Sequence, residues 1–400
     1  MKHLEESVVG LTAIKLINCK SLVSLPTNIW KLKSLESLDL SGCSKFQHFP
    51  EISEAMKHLE FLNLSGTMVK EVPPSIGNLV ALRKLNLAKC NYLEVVHDYL
   101  FRLTSLQELD LSSTKIKSLP ASIKQASQLS RLCLNDCNSL EYLPELPPLL
   151  QCLKANGCTS LKTVSSSSTA LAQGWEEYRF YRGLYEKHSF LNCPKLDENA
   201  RSNIMGDAQL RIMRMATASK FKEDKIEETS YDSNKESLRK RSFVAIRCCG
   251  NEIPNWFSHK SEGCSIKIEL PRDWFSTDFL GFALSFVVVA ATRCMEIGCK
   301  YNFKTSNGES HEVSHYLYNL FPTDSTLPIV EDSNGVFVWW YNNVFEEVVK
   351  GAESPTAFYK LVTEVNVDFA VSPELFQKVE KCGICLLYGK DAEMIKQRAL

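Results

Sequence analysis

Apolar residues recur along the first 160 positions with a period too long for one helix or one strand. The unit Leu-x-x-Leu-x-Leu appears as LTAIKL from Leu11, LESLDL from Leu35, LEFLNL from Leu59, LRKLNL from Leu82, LQELDL from Leu106 and LSRLCL from Leu129, with a degenerate LQCLKA from Leu150. Successive starts lie 24, 24, 23, 24, 23 and 21 residues apart, inside the window of about 20 to 29 residues expected of leucine-rich repeats. Each unit places its leucines in a shared core, with the intervening residues facing out of a short parallel strand. Three residues past each motif come Cys19, Cys43, Thr67, Cys90, Thr114, Cys137 and Cys158, side chains able to donate to buried loop carbonyls. Leu-Pro and related elements such as SLPTNIWKL and SLPASIKQA follow, where proline stops the strand and turns the chain onto the convex side.

The rhythm then changes. GNEIPNWFSHKSEGCSIKIELP, from Gly250, carries a turn and strictly alternating Ile266, Ile268 and Leu270. Further strand-like runs are Phe243 to Arg247, Phe279 to Ala290, Cys299 to Lys304, His311 to Phe321, Phe337 to Tyr341, Thr363 to Val371 and Cys382 to Tyr388. About eight strands separated by Gly, Pro, Asn and Asp predict a mostly antiparallel β-sandwich. The expected organisation is an α/β leucine-rich-repeat solenoid over 1–164, a connecting segment over 165–242, the sandwich over 243–389 and a tail over 390–400. Within the connector, a helix is expected near 197–219 with Ile204, Ala208, Ile212 and Met215 on one face. The charged stretch from Ser219 to Ser242, with its basic triplet Arg239 to Arg241, reads as a solvated linker.

Composition narrows the function. The chain has 400 residues and a formal net charge of −1, so no global field recruits nucleic acid or an anionic membrane. The longest apolar run, Phe279 to Ala291, is short of the roughly 20 residues a bilayer span needs. The charged N-terminus does not read as a signal peptide, and 15 cysteines in a chain of this size argue for reduced thiols. A cytoplasmic or nuclear location follows.

The outward strand positions form the candidate binding face: Lys15, Asp39, Phe61, Asn63, Lys84, Asn86, Glu108, Asp110, Arg131 and Lys154, with Ala13, Ser37, Cys133 and Cys152 among them. Phe61 and Arg131 are of the types enriched at binding hot spots. In the second half, the turns at Thr292 to Gly298, Lys304 to Ser310 and Pro322 to Gly335 are candidate contact loops, and Trp256 reads as a core residue closing one end of the sandwich.

Two motifs invite an enzymatic reading. HEVSH, His311 to His315, fits the H-E-x-x-H pattern of zinc peptidases. On a helix its histidines would lie about 6 Å apart along the axis, on a strand about 13 Å. The β-branched and aromatic surroundings predict a strand, so no zinc, catalytic residue or cofactor is assigned. CGIC, Cys382 to Cys385, sits in a strand pattern rather than opening a helix, and with Cys248, Cys249, Cys294 and Cys299 it reads as structural thiols.

The cysteine and threonine ladder and the Leu-Pro elements resemble the repeats of plant intracellular nucleotide-binding leucine-rich-repeat immune receptors. SFLNCPKLDENARSNIMGDAQLRIMRMA, from Ser189, resembles the phenylalanine-asparagine-cysteine segment that follows the repeats in receptors bearing an N-terminal TIR domain. Gly250, Ile253, Pro254, Trp256 and Phe257, then DWFSTDFLGFALSFVV and KCGICLLY, resemble their C-terminal jelly-roll and Ig-like (C-JID) domain. The resemblance implies a sensing region that contacts a pathogen effector, or a guarded host protein, through the concave repeat face and sandwich loops, and that meets the receptor's nucleotide-binding domain. Neither a TIR domain nor a G-x-x-x-x-G-K-[ST] loop is present, so the chain is expected neither to bind ATP nor to cleave NAD. The competing readings are a zinc hydrolase built on HEVSH and a repeat scaffold without an immune role.

Overall fold

The structure is a computed structural model that describes residues 10–173, 185–226, 242–289, 297–317, 334–342, 355–371 and 378–400. The charged stretch 227–241, most of the loop Thr292 to Gly298 and nearly all of Pro322 to Gly335 lie outside the described residues. The chain divides into two compact units, Met1–Ala170 with Asn192–Asn203, and Leu171–Leu191 with Ile204–Leu400.

In the first unit the repeat dictates a parallel sheet. Its strands are β1 (Ala13–Lys15), β2 (Ser37–Asp39), β3 (Phe61–Asn63), β4 (Lys84–Asn86), β5 (Glu108–Asp110), β6 (Arg131–Cys133) and β8 (Cys152–Lys154), all paired in parallel. Ser37, Phe61, Lys84, Glu108, Arg131 and Cys152 stand in register, while Leu38, Leu62, Leu85, Leu109 and Leu132 between them are buried. Two shorter strands, β7 (Tyr142–Leu143) and β9 (Thr163–Val164), pair on another side. Proline sets the remaining turn: Pro26, Pro73 and Pro120 each immediately precede a 3-10 turn, Thr27–Lys31, Pro74–Asn78 and Ala121–Gln125, with a φ near −70° that their rings already fix.

Each strand is only three residues long because a left-handed residue follows it. Asn18, Gly42, Gly66, Lys89, Ser113, Asp136 and Gly157 all have φ between 58° and 73°. The ladder side chain then ties the turn to the sheet. Cys43 donates to Leu16 O at 2.9 Å, Thr67 to Leu64 O at 2.7 Å, Cys90 to Leu64 O at 3.2 Å, Thr114 to Leu111 O at 2.7 Å, Cys137 to Leu111 O at 3.2 Å and Cys158 to Leu134 O at 3.1 Å. Cys19, expected in the same row, is exposed.

The FLNC segment continues this pattern. Asn192 is left-handed at 56°, Cys193 donates to Ala155 O at 3.1 Å, Leu196 N bonds Cys193 O and Asp197 N bonds Lys162 O. Those two backbone bonds repeat Leu161 to Cys158 and Lys162 to Glu141 one unit earlier. NCPKLD is therefore the second half of an eighth repeat, hidden because its leucine spacing has lapsed.

The second unit is built on two sheets. One runs β10 (Tyr185–Phe190), β11 (Phe243–Cys249), β17 (Gly335–Tyr341), β14 (Phe279–Val288), β19 (Val379–Tyr388) and β12 (His259–Glu262). All its pairs are antiparallel except β10 with β11. The other runs β13 (Ser265–Glu269), β18 (Val362–Val371), β15 (Ile297–Thr305) and β16 (Ser310–Leu317), all antiparallel. One buried core takes Phe282, Phe286 and Ile384 from the first sheet and Ile268, Phe303 and Val367 from the second.

Helices are α1 (Ser168–Gln173), α2 (Glu198–Ile226), α3 (Pro355–Leu361) and α4 (Gly389–Ala399). The helix expected over 197–219 runs on to Ile226, because Lys, Glu and Phe after Ser219 are compatible with helix. Ile204, Ala208, Ile212 and Met215 are buried as expected, but so are Arg211 and Arg214 at 1% exposure. These two bind Glu186 of β10: Arg211 NH1 lies 2.6 Å from Oε2 and Arg214 NH2 lies 2.9 Å from Oε1. The stretch 390–400 is a helix, not a tail. Asp278 supports its start through Oδ2, which accepts Lys390 N at 2.9 Å.

Candidate protein-binding face

The outward residues of β1 to β6 and β8 form the concave face of the repeats, and its charges cancel. It carries Lys15, Arg83, Lys84, Arg131 and Lys154 against Glu36, Glu60, Asp39, Glu108 and Asp110, five of each sign. Several are paired: Lys84 Nζ lies 3.0 Å from Glu108 Oε1, and Arg83 NH2 lies 3.8 Å from Glu60 Oε1. Half-buried Phe61 stands next to Lys84 in register, so an aromatic surface lies beside this pair. Glu36, Glu60, Arg83 and Gln107, the first variable position of each unit, were not among the residues expected here; the Leu-x-x-Leu spacing exposes them just as it exposes their neighbours.

The expected residues divide into two columns. Asp39, Asn63, Asn86 and Asp110 each use Oδ1 to accept the backbone N–H two residues on, at 2.9 Å to Ser41, 3.0 Å to Ser65, 2.9 Å to Ala88 and 2.9 Å to Ser112. Such a bond closes the strand end in place of the missing ladder bond. In the next repeat the position is Cys133, and a row behind takes over: Asn135 Oδ1 accepts both N and Nδ2 of Asn156 at 3.1 Å. Cys152, expected to face outward, is buried, and Cys133 is only partly exposed. Burial, with Asp110 nearby, pushes the Cys133 thiol up to about 12, so it is a poor nucleophile at neutral pH.

In the second unit HEVSH lies on β16, as the sequence predicts. His311, Val313 and His315 alternate onto one face, where His311 packs on Phe358 and His315 on Tyr301. Glu312 falls on the opposite face and pairs with Lys300 at 2.7 Å. A base on the wrong side of the strand cannot serve a metal held by the two histidines. Among the described residues no group of three or more His, Cys, Asp or Glu side chains could hold a metal ion. The CGIC thiols divide in the same way: Cys382 is buried in the core and pushed up to about 12 by desolvation, while Cys385 is partly exposed beside Trp256 O.

The C-JID domain model matches residues 248–393. The leucine-rich repeats of RPS4B-like disease resistance proteins match 31–106, and the general leucine rich repeat matches 80–140. Disease resistance protein RPS4B of Arabidopsis thaliana is 28% identical over 98% of this chain and 30% of its own length. Disease resistance-like protein DSC1 of the same plant is 30% identical over 97% of this chain and 34% of its own length. The chain carries leucine-rich repeats and a C-JID domain and is similar over nearly its whole length to plant disease resistance proteins. It spans about a third of the length of these two relatives. Among solved structures, the leucine-rich repeat domain of the type III effector XopL aligns over 49% of this chain and 77% of its own length, at 18% identity and a TM-score of 0.35.

The C-JID signatures pack on one another. Trp256 Nε1 donates to Met205 O at 3.0 Å, and its ring lies 4.1 Å from Phe257. A Cβ on Gly383 of KCGIC would come within 2.8 Å of Ile253 Cγ2, so glycine there lets the IPNWF turn close over β19. Trp274 of DWF is fully buried; it stacks near Phe282 and Phe303 and donates to Val362 O at 3.0 Å. Gly281, at φ 114°, leaves room for the Trp340 indole, whose Nε1 would otherwise meet a Cβ at 2.9 Å. Repeats and C-JID domain alike are recognition modules rather than catalytic ones. Among the described residues no helix is long and apolar enough to cross a membrane.

Proposed function

We propose that the chain is the ligand-sensing region of an intracellular plant immune receptor, with the concave face of its repeats binding a protein: a pathogen effector or a guarded host protein. The observation that carries this reading is the register row Ser37, Phe61, Lys84, Glu108, Arg131, a side-chain strip of mixed charge and one aromatic held on a fixed sheet. Rigid presentation lowers the ordering cost of binding, and aromatic and arginine side chains supply most of its energy. The C-JID unit, read as a jelly-roll and Ig-like sandwich, adds loops to the contact. Its hairpin turn between β15 and β16, with Gly308 at φ 88°, is one such loop. Contact with the nucleotide-binding domain of the receptor, and a cytoplasmic location, belong to the same reading.

The test is a panel of purified pathogen effectors titrated against the whole chain. A hit should weaken by at least tenfold when Phe61, Lys84, Glu108 and Arg131 are all replaced by alanine, at an unchanged melting temperature. Undiminished binding by the replaced chain would remove the concave face from the proposal.

A further inference from the structure

The charge of the repeat unit is unevenly placed. On the concave face cations and anions are equal in number. Over the first five repeats, the flank between the end of the concave strand and the next convex turn differs: residues 18–24, 42–48, 66–71, 89–95 and 113–118 hold six lysines and two glutamates, and the lysine row stops at the sixth repeat, whose flank carries Asp136 and Glu141. Lys20, Lys45, Lys70, Lys89, Lys115 and Lys117 are all exposed. Away from this flank lysines find carboxylates, as in Lys33 with Glu54 and Lys124 with Glu145, and on the flank itself Lys162 of the seventh repeat pairs with Glu141 of the sixth. None of the six flank lysines forms an ion pair among the described residues, and of the two glutamates Glu71 faces His97 at 3.7 Å.

Their placement is linear, because each belongs to the same part of a successive repeat and repeats are about 4.8 Å apart along the sheet. Apolar side chains lie in the same strip: Tyr92 is 46% exposed, Val95 54% and Val23 47%. Lys89 also occupies the left-handed position at φ 59°, which three other repeats fill with glycine and three with Asn18, Ser113 and Asp136.

We propose that this flank docks an acidic, partly apolar segment of a partner protein, at a surface separate from the concave face. Charge complementarity selects an anion, and the exposed Tyr92 and Val95 select a partner with side chains to bury. Lysine alone, without the arginine forks that read phosphates and bases, does not favour nucleic acid. A linear strip one or two lysines wide per repeat suits an extended polypeptide better than a membrane plane.

The experiment uses the whole chain and a short fluorescein-labelled peptide of glutamates interspersed with leucines, followed by anisotropy at increasing salt. Single-stranded DNA and phosphatidylserine vesicles are run beside it. The peptide should bind, weakening as salt rises, and Lys45→Glu, Lys89→Glu and Lys115→Glu together should weaken it about tenfold. Lys57→Glu, on another face, should change nothing. Lys89→Gly should weaken binding roughly twofold while raising the melting temperature, which keeps the test valid should the triple variant fold poorly. Absence of peptide binding, binding indifferent to both lysine variants, or equal or tighter binding of DNA or vesicles with the same lysine dependence would each overturn the proposal.

Discussion

Asn63 Oδ1 accepts the backbone N–H of Ser65 at 3.0 Å, and the same bond recurs at Asp39, Asn86 and Asp110. Side chains on the proposed binding face are thus also fastening their own strand ends. Asn63→Ala should cost about 1 kcal/mol in chemical denaturation, whereas Asn63→Asp and Asp110→Asn, which keep the acceptor, should cost much less. Equal losses for alanine and the isosteric changes would show that the bond contributes nothing.

Glu186 holds two buried arginines. Glu186→Gln leaves Arg211 and Arg214 with a neutral partner in a dry setting, and should destabilise the second unit by roughly 3 to 5 kcal/mol. Replacing all three by leucine or methionine should recover most of that loss. Hydrogen exchange of the α2 amides after Ile204 gives the local readout: they should lose protection in Glu186→Gln and regain it in the triple variant.

The buried thiols make the fold sensitive to alkali. Cys299 and Cys382 are both pushed up to about 12 by desolvation, while an unfolded thiol titrates near 8.5. Above that value the unfolded chain has released protons that the folded chain still holds, so stability falls from about pH 9 to pH 12 and is fully present below that range. Cys382→Ala and Cys299→Ala should flatten the alkaline slope of the denaturation midpoint. At pH 8, iodoacetamide should label Cys19 and Cys264, which are exposed, long before these two.

Trp274 is fully buried among Phe279, Phe282 and Phe303. Trp274→Ala should cost about 3 to 5 kcal/mol through the cavity and the orphaned Val362 carbonyl. Trp274→Phe keeps part of the ring stack and should cost clearly less; a melting curve for each variant settles the order.

Much of this was legible in the sequence, for identifiable reasons. Leucines at a nearly constant interval fixed the parallel strands and therefore which side chains line the concave face, alternation marked β13 and β18, and a continuous apolar run marked β14. What stayed hidden was held by polar residues. YEKHSF has no apolar alternation, yet it forms β10 because Glu186 meets Arg211 and Arg214, partners more than twenty positions away. The cap on α4 is supplied by Asp278, from a distant turn. The eighth half-repeat escaped notice since Asn192 and Cys193 keep the turn and the rung while the leucine count around them fails. The Asp and Asn column was visible as outward residues, but only coordinates reveal that each already holds a backbone N–H.

The position of Cys193 also dictates how the molecule can be divided in the laboratory. A fragment stopped after residue 173 would strip the partner from the Ala155 and Lys162 carbonyls and leave the last turn of the array frayed. Cutting the repeats free therefore requires carrying residues 192–203 along, spliced in through a designed connection, because the solenoid finishes in a piece of chain that the gene places after an intervening strand.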